Sequence, residues 1–582
     1  MDMLASLAAA LEAERAGDLD DAERRYRAAL NDPGAPRLAA SRLGLLLLRD
    51  GRAGEAVSPL AMAAAARPDD AAARVNLAGA LLAAGRLAEA LDMAETAVRL
   101  APSLAQAQAT LAAARLAGGD AHGALAAADA AVALAPAHAE AWFTCGTALG
   151  ALGDAEGSAN ALQTALDLAP GHARASLNLG NALTTLDRPT EALAALRTAI
   201  AADPTLPEAH ASLGYLFAGM GRLDEAIAAC DAAIALRPDF AQAYWNRSFA
   251  RLLAGDFARG WADYEWRRRH PSFAGDFSRS FAPTWQGEDL AGKTLLVEAE
   301  QGLGDTIQFA RFLPLLRARG AHVILAVAAP LRRLLAPFAR TVDRDQPPPP
   351  HDWRVDQLSL PLLLATRLET IPPSPYLTPD GAAVAAWRRA LPPGPRVGLV
   401  WAGNPTHSND RRRSLPTGAL APLLDDPRLA HVTFISLQRG AREDEYDLPA
   451  PLPAAADFAD TAALVGALDH IVTIDSSVGH VAGALGIPVA LLLPAAPDWR
   501  WLLNRRDSPW YAAHALYRQE TPGDWAPTLA AVTADLVRRY PNRARTNRAS
   551  DAAAAVTTSP QAMSMKVSEA GHPLSVAQLV RS

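Results

Sequence analysis

The sequence predicts an α-solenoid of helix pairs followed by two parallel α/β units. Three observations predict it. Prolines recur at a fixed 34-residue interval through the first half, small residues keep step with them, and after Lys293 apolar strands begin to alternate with helical segments. At 582 residues the chain is too long for one hydrophobic core, so several domains or a repeat array are required.

The periodic prolines are Pro68, Pro102, Pro136, Pro170, Pro204 and Pro238. This period is that of the tetratricopeptide repeat, a helix–turn–helix unit. Steps of the same size from Gly44 reach Ala78, Ala112, Gly146, Gly180, Gly214 and Ser248. From Ala22 they reach Ala56, Ala90, Ala124, Ser158, Ala192, Ala226 and Gly260. Paired helices approach closely only where side chains are small. Leu43, Leu77, Leu111, Leu179 and Leu213, beside the first column, fill the grooves between them. Each proline ends a second helix because it cannot donate the next backbone hydrogen bond. About eight repeats fit residues 1–270. In the last, Arg247 and Arg267 replace apolar or small residues, which marks it as the cap that joins the next domain. Such arrays bind a protein or peptide along a concave face. Asn76, Asn178 and Asn246 recur near one column and read either as grips on a peptide backbone or as interhelical or solvated amides.

Residues 271–291 form an aromatic, non-periodic linker. Its end, Gly287 to Thr294, matches the phosphate-loop pattern GxxxxGK[ST] letter for letter. A phosphate loop must follow a strand and open a helix. Here a Pro/Trp-rich linker precedes it and a strand follows, so the match is rejected.

The first α/β unit starts with strand 294–299, the loop Glu300 to Asp305 and a helix to Arg319. Gly320 breaks that helix before strand 322–327. After proline-rich stretches at 347–350 and 372–375 the alternation restarts, with strands 397–401, 432–436, 471–474 and 489–493. Continuous apolar strands alternating with helices indicate parallel, doubly wound sheets. The restart predicts two Rossmann-like domains, 292–385 and 386–540, facing each other across a cleft. The polar tail 541–582 is expected to be disordered.

Three clusters carry candidate chemistry. The stretch IVTIDSSVGHVAGALGIP (471–488) reads as a buried strand, a turn at Asp475 and a helix that Gly486 stops. A helix N-terminus at the carboxyl end of a strand presents free N–H groups and a positive dipole end, suited to a diphosphate. Ser476, Ser477 and His480 add side-chain donors there, although a histidine in a first turn also reads as structural. The second cluster, Asn404 to Ser414, follows strand 397–401. Its three arginines read as a bidentate phosphate grip or as a solvated basic loop. In the third, Gly302 and Gly304 let backbone approach a ligand. Asp305 reads either as a helix cap or as a general base for an acceptor hydroxyl. The third glycine of a dinucleotide fingerprint is missing, which argues against NAD(P). Asp343 and Asp345 have the spacing of a metal-binding pair but fall in a Pro-rich stretch, so no metal is expected.

Composition narrows the function classes. Fifty-five Lys+Arg against 62 Asp+Glu argue against a chain that coats nucleic acid. Cys145 and Cys230, each within a helical repeat, exclude a disulfide scaffold. The N-terminus lacks a basic-then-apolar leader, and no apolar run of about 18 residues suggests a membrane span. A cytoplasmic location is expected.

Five stretches carry a family resemblance: EQGLGDTIQFARFLPLL, VGLVWAGNPTHSNDRRRSLP, ISLQRG, DFADTAALVGALDHIVTIDSSVGHVAGALGIP and PDWRWLLNRRDSPWY. They resemble bacterial tetratricopeptide proteins with a heptosyltransferase-like domain of the glycosyltransferase family 9 type. The match covers roughly 285–540, and the layout is similar to that of O-linked N-acetylglucosamine transferase. The resemblance implies the GT-B fold, a nucleotide-sugar as co-substrate with no further cofactor, inversion at the anomeric carbon and no required metal. It implies that Asp305 is the catalytic base and that Gly302, Gly304 and Gln308 line the acceptor loop. Arg413, Asp475, Ser476, Ser477 and His480 match the donor-binding positions. Ser476 stands where threonine is usual, which keeps the hydroxyl. Gly479, just before His480, is expected to loosen the helix start by up to about 1 kcal/mol. The alternative expectation is a repeat scaffold whose transferase half no longer turns over.

Overall fold

The computed structural model describes residues 3–30, 36–273, 280–407, 409–440 and 442–542. The tail expected to be disordered lies, from residue 543 on, outside the described residues. Contacts divide the chain into two units. Among the described residues, one runs through Pro373 and also takes in Ala496–Arg505; the other comprises Ser374–Ala495 and 506–542.

The first unit opens with sixteen helices among the described residues, from Met3–Ala16 to Phe257–Tyr264, in eight successive pairs. The small columns lie where helices of one repeat touch. A Cβ on Gly146 or Gly180 would lie 2.6 Å from Cγ of Leu162 or Leu196, and one on Gly214 would lie 2.4 Å from Cys230 Sγ. The prolines stand just beyond helix ends, as with Leu87–Leu100 and Pro102.

Another column governs the turn inside each repeat. Residues 17, 51, 85, 119, 153, 187, 221 and 255 all have φ between +59° and +86°. Seven are glycine, which adopts this conformation without a steric penalty. The eighth is Asp187, from a residue type that tolerates it. The next residue caps the second helix. Asp18, Asp120, Asp154 and Asp256 accept a backbone N–H with their carboxylates. Arg52, Arg86, Arg188 and Arg222 instead pair with the glutamate three residues on, at 2.5–2.7 Å. Of the recurring asparagines, Asn178 donates to Thr147 Oγ1 (3.0 Å) and Asn246 to Ala211 O (2.9 Å), each in a neighbouring repeat. These two are interhelical amides.

The eighth repeat is fastened to the first sheet. That sheet is parallel, with order β3-β2-β1-β4, from β1 (Thr294–Glu298), β2 (His322–Val327), β3 (Arg340–Asp343) and β4 (Trp353–Asp356). Arg267, fully buried, grips both carboxylate oxygens of Glu300 at 2.7 and 3.0 Å. It also donates to Glu265 Oε1 and Ser359 Oγ. Arg268 pairs with Asp356 at 2.5 Å, and Arg247 pairs with Asp263 and Asp231. The linker is packed too. Trp285 is buried and donates its backbone N–H to Arg354 O, while Arg354 N–H donates to Pro283 O, extending the sheet beside β4. The stretch from Gly287 to Thr294 is a turn that enters β1, which is not the setting of a phosphate loop. Asp343 ends strand β3 and is not in a loop.

The second unit holds a parallel sheet of order β6-β5-β7-β8-β9. Its strands are β5 (Arg396–Val400), β6 (Thr433–Ser436), β7 (His470–Ile474), β8 (Val489–Leu493) and β9 (His514–Arg518). Strands β7 and β8 are buried along their whole length, as expected for parallel strands covered on both faces. The boundary expected at 385/386 falls inside helix Gly381–Ala390. That helix packs on Phe458–Val465, so it belongs entirely to this unit.

Candidate functional site

Each sheet reverses its strand order once. In the first, β1 is followed in space by β2 and β3 on one side and by β4 on the other. In the second, β5 has β6 on one side and β7 on the other. Ligands of open α/β sheets bind outside the carboxyl ends of the strands at such a reversal, because the two loops there diverge and leave a crevice. The loops after β1, β5 and β7 carry the three clusters named from the sequence.

After β1, Gly302 is the N-cap of helix Leu303–Phe309, and Asp305 sits in its first turn. Asp305 Oδ2 accepts the Gly302 N–H at 2.9 Å. A Cβ at Gly302 would lie 2.9 Å from that oxygen, so the carboxylate packs directly against the glycine. Oδ1 accepts from Arg500 Nη2. The side chain stays 21% exposed. Gly304 is half-buried in the same turn, whereas Gln308 is fully buried, its Oε1 taken by Arg500 Nε at 2.6 Å. Gln308 therefore supports the loop from beneath. The preceding Gln301 has φ +58°, and its Oε1 accepts from Tyr264 of the last repeat at 3.1 Å.

The second sheet brings its two loops together. Ser476 caps helix Ser477–Leu485. Its Oγ accepts from Gly479 N–H at 3.4 Å and lies 2.8 Å from Thr473 Oγ1. Gly479 has a packing reason, since a Cβ there would come 3.3 Å from Thr473 Cγ2. Ser477 opens the helix, half-buried. Arg413, from the loop after β5, donates to the Asp475 carbonyl at 3.3 Å and holds Asp410 at 3.2 Å. Gly403 makes room for this pair, because its Cβ would lie 2.3 Å from Asp410 Oδ1 and 2.7 Å from Arg413 Nη2. Arg411 of the same run is exposed.

His480 is buried. Its Nδ1 is hydrogen-bonded to Tyr511 Oη at 2.9 Å, and Nε2 lies 3.9 Å from Asp475 Oδ1. The ring is thus set between a phenol and a carboxylate. Gly483 permits this, since any side chain there would strike Tyr511 and His514 at 2.5 Å. Arg413, though paired with Asp410, stands beside the N–H groups of the helix start, and together they form a donor-bearing corner that could receive an anion.

Sequence reasoning assigned no role to Arg500 or Tyr511. Both stand in the stretch PDWRWLLNRRDSPWY, which carried the resemblance. Their partners are 195 and 31 residues away, so local pattern could not reveal them.

Fold and loops together define a repeat-bearing α/β protein whose two parallel sheets each reverse strand order once. The family model for the tetratricopeptide repeat matches residues 7–70, 60–105 and 144–207, and a second model of the same description matches 207–240. The first half therefore contains tetratricopeptide repeats. Protein FlbA of Caulobacter vibrioides is 30% identical over an alignment of 370 residues that covers 51% of this chain and 61% of that protein. The chain thus spans about three fifths of that relative's length. Two solved structures are similar to part of the chain. A tetratricopeptide repeat protein from Parabacteroides merdae is 13% identical, with a TM-score of 0.36, over 43% of this chain and 98% of that one. TTC0263, a thermophilic TPR protein of Thermus thermophilus, is 27% identical with a TM-score of 0.28, over 31% of this chain and its own full length. No helix among the described residues is long and apolar enough to cross a membrane.

Proposed function

We propose that this chain is an inverting, metal-independent glycosyltransferase of GT-B type. In this reading it moves a sugar from a nucleotide-sugar to a protein or glycan acceptor that the repeats recruit. The observation that carries the reading is the location of the candidate residues. Asp305 and the Asp475–His480 set each occupy a loop at the carboxyl end of a strand beside a strand-order reversal. In the second unit the donor diphosphate would rest on the start of helix Ser477–Leu485, with Arg413 and Ser477 as further donors. Groups fixed there before reaction stabilise charge as it develops on the leaving phosphate. Tyr511 holds the His480 ring through Nδ1, with Nε2 facing Asp475. In the first unit Asp305 takes the proton of the acceptor hydroxyl as that oxygen attacks the anomeric carbon.

A repeat scaffold without turnover is the competing reading. It is favoured by one observation: both Asp305 oxygens already accept hydrogen bonds. A thermal-shift panel of UDP, GDP, ADP and CMP and their sugars, run on the full chain, separates the two. We expect one nucleotide to raise the melting temperature of the wild type and to lose that effect in His480→Ala. Absence of any shift from folded protein would favour the scaffold.

A further inference from the structure

The proposed base has a partner delivered by a distant piece of chain. Ala496–Arg505 follows β8 in sequence but packs within the first unit. Its centre is the turn Trp499–Trp501, whose three side chains are buried. Trp499 meets Trp261 of the eighth repeat edge to face, with centroids 5.2 Å apart, and lies beside Tyr264. Arg500 is held on every side. Its Cζ lies 4.2 Å over the Trp499 ring, Nη1 donates to Asp498 Oδ1 (2.8 Å), Nε to Gln308 Oε1 (2.6 Å) and Nη2 to Asp305 Oδ1. A guanidinium fixed at its face and at three nitrogens has little freedom left to lose when it binds the carboxylate.

We propose that Arg500 is the positioning residue of Asp305, and that the eighth repeat, through Trp261 and Trp499, holds Arg500 in place. The inference deepens the reading of Asp305 as base and rests on it for its functional meaning. Gly302 N–H and Arg500 together fix the plane of the carboxylate, so its remaining lone pairs keep one direction. Arg500 donates to the carboxylate and takes no proton itself. Without it, the Gly302 N–H alone leaves the carboxylate free to turn about its long axis. Displacement of a reacting group by about 1 Å costs on the order of 100-fold in rate.

The test uses the full chain and a chemical probe that needs no substrate. Surface carboxyls are labelled with a carbodiimide and glycine ethyl ester, and Asp305 is followed by peptide mapping in wild type, Arg500→Gln and Arg500→Lys. We expect labelling of Asp305 to rise several-fold in Arg500→Gln and to return toward wild type in Arg500→Lys, while Asp426 is unchanged. Trp261→Leu, which touches neither partner, is expected to raise Asp305 labelling as well. It keeps the test open if Arg500→Gln fails to fold. Unchanged labelling in folded Arg500→Gln or in Trp261→Leu would overturn the proposal. With a donor in hand, Arg500→Gln should lower kcat about 100-fold at unchanged donor KM. A wild type that turns over no donor would remove the transferase reading, while the labelling result would stand on its own.

Discussion

The junction between the last repeat and the first sheet permits a quantitative test. Arg267 is fully buried and donates to Glu300, Glu265 and Ser359; Glu300 is 4% exposed and also accepts Leu358 N–H at 3.1 Å. Replacing Arg267 by Met keeps much of the volume but leaves the Glu300 carboxylate without its cation. Breaking one side of a buried pair costs about 3–5 kcal/mol, because the remaining charge has lost its water. Burial pushes the Glu300 carboxyl up even with Arg267 present. In Arg267→Met the cation no longer opposes that push and only the Leu358 N–H does, so the folded state favours the protonated acid more strongly than the unfolded chain does. The stability lost is then large at neutral pH and recovers as pH falls toward the ordinary carboxyl range. In the double variant Arg267→Met/Glu300→Gln the amide oxygen can still accept Leu358 N–H and no unpaired charge remains at position 300, so at least half of the loss should return. Urea unfolding followed by tryptophan emission is a suitable assay, since Trp261 and Trp499 are buried beside this junction. A single-variant cost below about 1 kcal/mol, or a double variant as unstable as the single one, would refute the argument.

Two further tests address the repeats and the second sheet. Gly180→Ala should destabilise by about 1–3 kcal/mol, because the new methyl would lie 2.6 Å from Leu196 Cγ in a packed helix pair. Gly79→Ala, in a helix with open space at that position, should instead stabilise by up to about 1 kcal/mol. Thermal melts of the two variants should move in opposite directions. His470 on β7 is buried, and that burial, helped by Arg539, pulls its imidazole down to about 4 from an ordinary 6.5. Its contribution is complete above the unfolded value and is lost as pH falls toward 4, amounting to about 2 kcal/mol by pH 5. His470→Gln should flatten that acid sensitivity in urea melts of the second unit; an unchanged pH profile would count against the assignment.

The repeats were legible because their constraint is local and recurs. A leucine or cysteine sixteen residues away forbids a large side chain at Gly146, Gly180 and Gly214, and the same demand returns with every repeat. Strands β5, β7 and β8 were legible because burial on both faces demands an unbroken apolar run. Strands β3, β4 and β9 were missed. All three are the last named strands of their sheets and carry charge, reading RTVD, WRVD and HALYR; in β4 that charge is buried and answered by a distant partner, Arg268 on Asp356, which the local pattern cannot show. Of the candidate sites, the loop positions were legible from strand–turn–helix punctuation. The groups that orient them, Arg500 for Asp305 and Tyr511 for His480, were not, since tertiary contact alone brings them near.

The returning segment also has a consequence for synthesis. Trp261 leaves the ribosome 238 residues ahead of Trp499, its edge-to-face partner. At roughly 5–20 residues per second, the end of the solenoid waits about 10–50 s with an aromatic surface uncovered. During that interval the eighth repeat is a sticky end on a nascent chain. A chaperone occupying that surface would have to yield to a ten-residue stretch of the same polypeptide before the first unit could close.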